Sequence, residues 1–276
     1  MKVILSRKGF DGTYGGCPSP ILPDGTMVSM PIPGEGDIYK YKDLQFPGDG
    51  TYFDVWNDLK PHGNKVLTCH LDPDIRKGIR KECTEWKPTF GQCDAAQGHL
   101  LNKGIKKDDL FLFFGWFRKV EYVAGHWRYI KDAPRVHAIY GYMQVDHILT
   151  GEDVKKCSWH PHSRYSNTNN AIYVAADKLR IDGNDLNLPG AGTLTYSEDL
   201  VLTAPGQSHS RWKLIDVLAD KNIELSYHDK GKCIKDGYFQ SAARGQEFVF
   251  SESNIVNRWA EMLIADNQDY DQETVE

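Results

Sequence analysis

The stretch Leu110-Phe111-Leu112-Phe113-Phe114-Gly115-Trp116-Phe117 decides the fold. It is far too short to span a membrane, and its length and aromatic content suit a buried strand better than a helix. Residues 137–149 form a second long strand candidate. The polar segment between them, residues 121–135, reads as a hairpin or an excursion. Residues 3–6 make a short buried strand, and Pro23-Asp24-Gly25 is a turn signature that pairs Ile21-Leu22 with Met27-Val28. Shorter strands are expected at 66–70, 170–174, 200–203 and 223–227. Helical spacing appears at 51–60, at 95–103 (capped by Asp94, stopped by Gly104), at 210–221 with Trp212, Ile215 and Ala219 aligned, and at 253–265. The last carries a stripe of Ile255, Val256, Trp259, Met262 and Leu263. Strands and helices alternate without a regular βαβ beat. The expected fold class is therefore α+β: a mixed, largely antiparallel sheet with several short helices and a C-terminal amphipathic helix.

The 276 residues, 40% hydrophobic and 26% charged, are ordinary for a globular chain and argue against disorder, collagen-like repeats and coiled coils. One domain over residues 1–265 is expected, followed by an acidic, flexible tail at 266–276. The formal net charge is −5, and five acidic residues lie in that tail with no basic one. Without them the acidic count falls level with the 33 Lys and Arg, so the body is neutral and unlike a non-specific DNA coat. Residues 76–135 hold a local excess, 13 basic against 7 acidic, which suits a phosphate-bearing ligand or a solvated surface. There is no signal-peptide pattern, no membrane span and no Cys-x-x-Cys pair. The six cysteines read as reduced thiols and the protein as cytoplasmic.

No Gly-x-Gly-x-x-Gly, P-loop, Gly-x-Ser-x-Gly elbow or zinc-deaminase signature is present, which weakens the usual nucleotide-hydrolase, serine-hydrolase and deaminase readings. Trp159-His160-Pro161-His162 is the most metal-like stretch. His160 and His162 can face one divalent ion, with a third ligand from His70, Asp72 or Asp74, although histidines beside proline are more often loop hydrogen-bonders. No other cofactor is indicated. Ser210 and Arg211 open the expected 210–221 helix, where free N–H groups suit a phosphate or carboxylate. Arg244-Gly245-Gln246-Glu247 precedes the strand Phe248-Val249-Phe250. There Gln246 can read a base edge and Glu247 can act as a base, or Arg244 and Glu247 simply pair. Arg7, Lys8 and Asp11 follow the first strand on a glycine-rich loop. Trp116, Phe117 and Tyr140 are stacking candidates, although burial in the core fits that apolar run better.

Several stretches, taken in order, resemble the family called nucleotide modification associated domain 3. They are Ser6-Arg7-Lys8-Gly9-Phe10-Asp11, Pro18-Ser19-Pro20-Ile21-Leu22, Ser29-Met30-Pro31-Ile32-Pro33, His70-Leu71-Asp72-Pro73-Asp74, Gly91-Gln92, Ala96-Gln97-Gly98-His99-Leu100, the run 110–118, Trp159-His160-Pro161-His162, Leu202-Thr203, Ser210-Arg211-Trp212 and Arg244-Gly245-Gln246-Glu247-Phe248-Val249. The match spans roughly residues 2–264. Asp108-Asp109 departs from it, where glycine-aspartate is expected. The resemblance implies a role in systems that install or handle modified bases in DNA, in bacteria and their viruses. Two functions follow as expectations. One is an enzyme acting on a nucleotide or DNA base. In it Arg7, Lys8, Arg211, Ser210 and Arg244 hold phosphate, Gln97 and Gln246 orient the base, and Asp11, Asp72 or Glu247 is the general acid/base. The other is a non-catalytic module that recognises a modified base. A structural or interaction protein, with the acidic tail in a partner's basic groove, ranks last. Nucleotide or DNA is the expected partner, and no membrane.

Overall fold

A computed structural model describes residues 1–61, 66–80 and 83–269. The aromatic run lies in the middle of a nine-stranded mixed sheet, counted among the described residues. Its strands are β1 (Val3–Arg7), β2 (Ser19–Ile21), β3 (Thr89–Gln92), β4 (Leu110–Val123), β5 (His126–Tyr129), β6 (Val136–Thr150), β7 (Ala171–Ala175), β8 (Ala191–Thr193) and β9 (Glu247–Val249). The order along the sheet is β9-β1-β4-β6-β7-β3, with β2 and β5 also on β4, and β8 also on β6. β1 and β2 run parallel to β4, through Val3↔Leu110 and Ser19↔Phe117. The other pairings are antiparallel. β4 is flanked by strands on both edges and by packed layers on both faces, so Leu110 through Phe114 are all fully buried. That is why it reads as an unbroken apolar run instead of an alternating one. The segment between β4 and β6 is a hairpin, with β5 folding back on the end of β4.

Three helices cover the sheet and its loops. α1 (Tyr52–Leu59) starts at a capping box between Thr51 and Asp54. α2 (Asp94–Asn102) begins one residue earlier than its sequence signature, with Cys93 at the cap, and ends at Gly104 with φ +64°. α3 (Asn254–Asp266) buries Val256, Ala260, Leu263 and Ile264, whereas Ile255 and Met262, placed in the stripe by spacing, are half to two-thirds exposed. The expected turn at Pro23-Asp24-Gly25 is present, with Ile21 bridged to Met27. Asp108 takes φ +71°, a conformation that glycine adopts without strain, and Asp109 is buried and accepts the N–H groups of Lys2 and Lys106.

The helix expected at 210–221 does not form. Arg211–Trp212 is a short strand paired with Tyr238–Gln240, and only Asp216–Ala219 is helical. Trp212 is fully buried among Phe114, Phe239 and Phe248, so tertiary packing overrides the helical spacing. Residues 200–203 and 223–227 pair only through isolated bridges. Of the acidic stretch expected as a flexible tail, Asp266 ends α3 and Asp269 pairs with Arg76 and accepts from Thr193. Residues 270–276 lie outside the described residues. Among the described residues no helix is long and apolar enough to cross a membrane.

Candidate functional site

The end of β1, the end of β3 and the loop before β9 meet at a cavity of about 400 Å³, in the size range of small-molecule sites. Arg7, Lys8, Asp11, Asp37, His70, Asp72, Gln92, Cys93, Trp116, His137, His162, Tyr165 and Gln246 are among the residues that line it.

One wall is polar and rigid. The Asp72 Oδ1 accepts from the Gly91 N–H at 2.7 Å and from the His160 Nε2 at 3.2 Å. The His160 Nδ1 accepts the His162 N–H at 3.2 Å, so neutral His160 carries its proton on Nε2 and donates it to Asp72. Burial, outweighing the pull of Asp72, holds His160 below its ordinary value. Burial pushes the Asp72 carboxyl up. The His160 hydrogen bond and the positive field of Lys8 push it down harder, so it stays ionised, well below the usual carboxylate range. The His162 Nδ1 donates to the Asn170 Oδ1 at 2.6 Å, and the Asn170 amide is itself fixed by donating to the His162 carbonyl at 2.8 Å. The His70 Nδ1 faces the Asp37 Oδ2 and the Tyr165 hydroxyl, each at 3.1 Å. The outer nitrogens of His70 and His162 and the Asp72 Oδ2 have no hydrogen-bond partner among the described residues. One donor atom from each of His70, Asp72 and His162 lies within 4.8 Å of the others, which makes this the group able to hold a metal ion. Asp74 is committed elsewhere: it is buried and takes both terminal nitrogens of Arg80. Cys93 is a neutral thiol, pushed up to about 11 by burial and by its bond to Asp94.

Another part of the lining carries charge and ring surface. The Lys8 Nζ sits 3.1 Å from the Glu247 Oε1 and 4.3 Å from the centre of the Phe90 ring. The same Glu247 oxygen accepts from Ser6 at 3.1 Å and from the Gln92 amide at 2.8 Å, while its Oε2 is buried with no partner among the described residues. Glu247 is 1% exposed and is not among the lining residues; it holds Lys8 and Gln92 from beneath the wall. The Arg7 guanidinium donates to the Ala242 and Ala243 carbonyls and lies over the Phe114 and Phe248 rings.

The remaining sequence candidates divide plainly. Asp11 lines the rim, but its Oδ1 already accepts the N–H groups of Thr13 and Tyr14. Gln97 is buried, takes the Tyr173 hydroxyl and does not line the cavity. Ser210 and Arg211 lie outside the lining, and no helix start exists there. Arg211 is exposed, bonded to Gln207 and stacked over Tyr238. Arg244 is exposed and outside the lining, and Glu247 pairs with Lys8 in its place. Phe117 and Tyr140 are core residues; Trp116 alone of the three stacking candidates reaches the cavity. His160 has both ring nitrogens engaged and cannot ligate; it supports Asp72 instead. Asp37, Tyr165 and His137 were not legible as site residues. They sit in unpatterned loop or strand sequence, and only the partners they meet in space mark them out.

His137 yields a pH prediction. Its Nδ1 accepts the Trp212 indole N–H at 3.1 Å, and burial, together with the charge of His209 and Arg7, holds it neutral, well below 6.5. Below about pH 6.5 the unfolded chain takes up a proton that the folded chain refuses, so stability is full above that pH and falls with acidification. Urea denaturation from pH 7 to 5 should show this fall, and His137→Gln should make it shallower, the rest coming from His160, His162, His209 and His228, which burial also holds below their ordinary values.

The ends of several strands of this α+β sheet gather imidazole, carboxylate and amide groups around one cavity. Residues 2–251 match the family nucleotide modification associated domain 3, and the chain belongs to that family. No curated protein matches the chain, and no solved structure does.

Proposed function

We propose that this protein is an enzyme acting on a nucleotide or a DNA base in a nucleotide-modification system. One observation carries the reading. His70, Asp72 and His162, each with a donor atom that no other described residue engages, line the same cavity as Lys8, Gln92, Gln246 and Trp116. In this reading Trp116 stacks on the base, Gln246 meets its edge, and Arg7 with Lys8 supplies positive charge for phosphate. Asp72, kept ionised, works at the reacting end with the two histidines. The cavity suits a single nucleotide or a base flipped out of a duplex, not a length of duplex itself. The second reading, a module that recognises a modified base without turnover, is favoured by the Trp116 ring, which is backed by the Arg135 guanidinium 5.8 Å away.

Incubation with nucleoside mono- and triphosphates and with single- and double-stranded DNA, modified and unmodified, followed by mass spectrometry, separates the two. The enzyme reading expects a product that Asp72→Asn abolishes while binding survives. Trp116→Ala should weaken binding by about 1–3 kcal/mol, the usual worth of a base–aromatic stack. Saturable binding with no product under any of these conditions, with divalent metals supplied, would favour the reader.

A further inference from the structure

We infer that His70, Asp72 and His162 form the binding site of one divalent first-row transition-metal ion, held by two imidazole nitrogens and one carboxylate oxygen. The remaining coordination positions open on the cavity. The inference stands whether or not that cavity takes a nucleotide.

The ordinary explanation for a buried histidine is that both its nitrogens are satisfied within the fold. His160 fits that explanation, donating to Asp72 and accepting from the His162 N–H. His70 and His162 do not. Each has its Nδ1 occupied by a side-chain oxygen: the Asp37 carboxylate, beside the Tyr165 hydroxyl, for His70 and the Asn170 amide for His162. An oxygen acceptor on Nδ1 fixes the proton there and leaves the Nε2 lone pair free, the arrangement that ligating histidines show around metals. Asp72 is prepared in the same way. Its Oδ1 takes the Gly91 N–H and His160, and its Oδ2 remains.

The backbone also makes room for these rings. A Cβ at Gly91 would fall on the ring atoms of His162, and one at Gly34 would collide with Asp37 and touch His70. The His70 and His162 rings meet edge to face with centroids 5.1 Å apart. Donors on one tetrahedral ion at about 2.0–2.2 Å stand roughly 3.4 Å apart, and one candidate ligand atom from each of the three residues already lies within 4.8 Å of the others. Two nitrogens and one oxygen favour Fe(II), Co(II), Mn(II) or Zn(II) over Mg(II) and Ca(II), which prefer all-oxygen shells. Three protein ligands with open positions are the pattern of catalytic sites, in which the ion polarises a substrate or a bound water.

The test uses the whole chain stripped with chelator and titrated with Co(II) and Zn(II), followed by absorption and calorimetry. One equivalent should bind, undisplaced by excess Mg(II). Asp72→Asn and His162→Gln should weaken Co(II) binding by about 100-fold or more. His160→Gln, which loses only the support of Asp72, should weaken it by roughly 10–100-fold. His147→Gln, an exposed histidine elsewhere, should change nothing. Circular dichroism checks that each variant folds. If the site variants do not fold, X-ray absorption of the Zn(II)-loaded wild type decides by its count of imidazole ligands. No stoichiometric binding by the folded wild type would overturn the site, as would a shell containing sulfur or lacking imidazole. So would unchanged affinity in both Asp72→Asn and His162→Gln. Any of these with nucleotide binding intact removes the metal and leaves the nucleotide reading standing.

Discussion

Glu247→Ala should lower the unfolding free energy by about 3–5 kcal/mol, the usual cost of removing one partner from a buried ion pair. The Glu247 Oε1 collects Lys8, Ser6 and Gln92, and every one of these groups is held in or beside the cavity wall. The variant leaves the Lys8 ammonium with a side chain only 8% exposed and no carboxylate beside it. It also strands the Ser6 hydroxyl and leaves the Gln92 amide nitrogen only its 3.3 Å bond to the Gln246 Oε1. Urea denaturation at pH 7 reads the loss directly. The double variant Lys8→Met/Glu247→Leu should recover much of it, because a buried pair replaced whole by apolar side chains avoids the orphaned charge. A single-variant loss under 1 kcal/mol would mean that Glu247 does not anchor the wall.

Phe90→Ala should cost a similar amount, about 3–5 kcal/mol, since truncating a fully buried phenylalanine removes its transfer energy and leaves a void. Phe90 is fully buried, with ring centroids 4.9 Å from Phe111, 5.5 Å from Phe113 and 5.6 Å from Tyr173. Its face also receives the Lys8 ammonium. Beyond its effect on stability, the substitution removes the surface under Lys8, so affinity for a phosphate-bearing ligand should drop as well. Phe90→Leu keeps more of the volume and separates the two effects. It should retain most of the stability while still losing the cation–π contact, worth about 0.5–2 kcal/mol. Indifference of ligand affinity to both substitutions would place phosphate away from Lys8.

The central pair β4 and β6 and α3 were legible because each has a strong local signal backed by its burial, whereas the polar segment between β4 and β6 fits a hairpin or an excursion equally, and only the pairing of β5 back on β4 decides it. The long apolar run can only be satisfied between two strands, and its length sets the width of the sheet. Residues 210–221 misled for the converse reason: Trp212, Ile215 and Ala219 keep helical spacing, but the aromatic pocket around Trp212 demands an extended backbone at Arg211–Trp212. The hairpin Lys178–Ile181 to Asn184–Pro189 carried a readable Asp182-Gly183 turn and was missed.

At the site, the structure brings the Trp159-His160-Pro161-His162 stretch together with His70 and Asp72. What spacing does not encode is which ring nitrogen is already engaged. That depends on Asp37, Asn170 and the His162 N–H, residues brought in from separate loops. Gln97 and Glu247 failed as cavity residues for a related reason, because a polar side chain at an element end can turn inward to satisfy the core.

The sheet order places β1 between β4 and β9, so the strand at residues 3–7 is completed by one made some 240 residues later. Lys8 waits for Glu247, 239 residues further along the chain. A nascent chain interrupted before residue 247 would have assembled most of its hydrophobic centre around the aromatic strands, yet would hold an open edge on β1 and a lysine without its counter-charge. Contacts this distant form late and slowly. The cavity is thus complete only on a chain that has been translated past residue 247, and a copy interrupted before it is recognisable by its exposed strand edge.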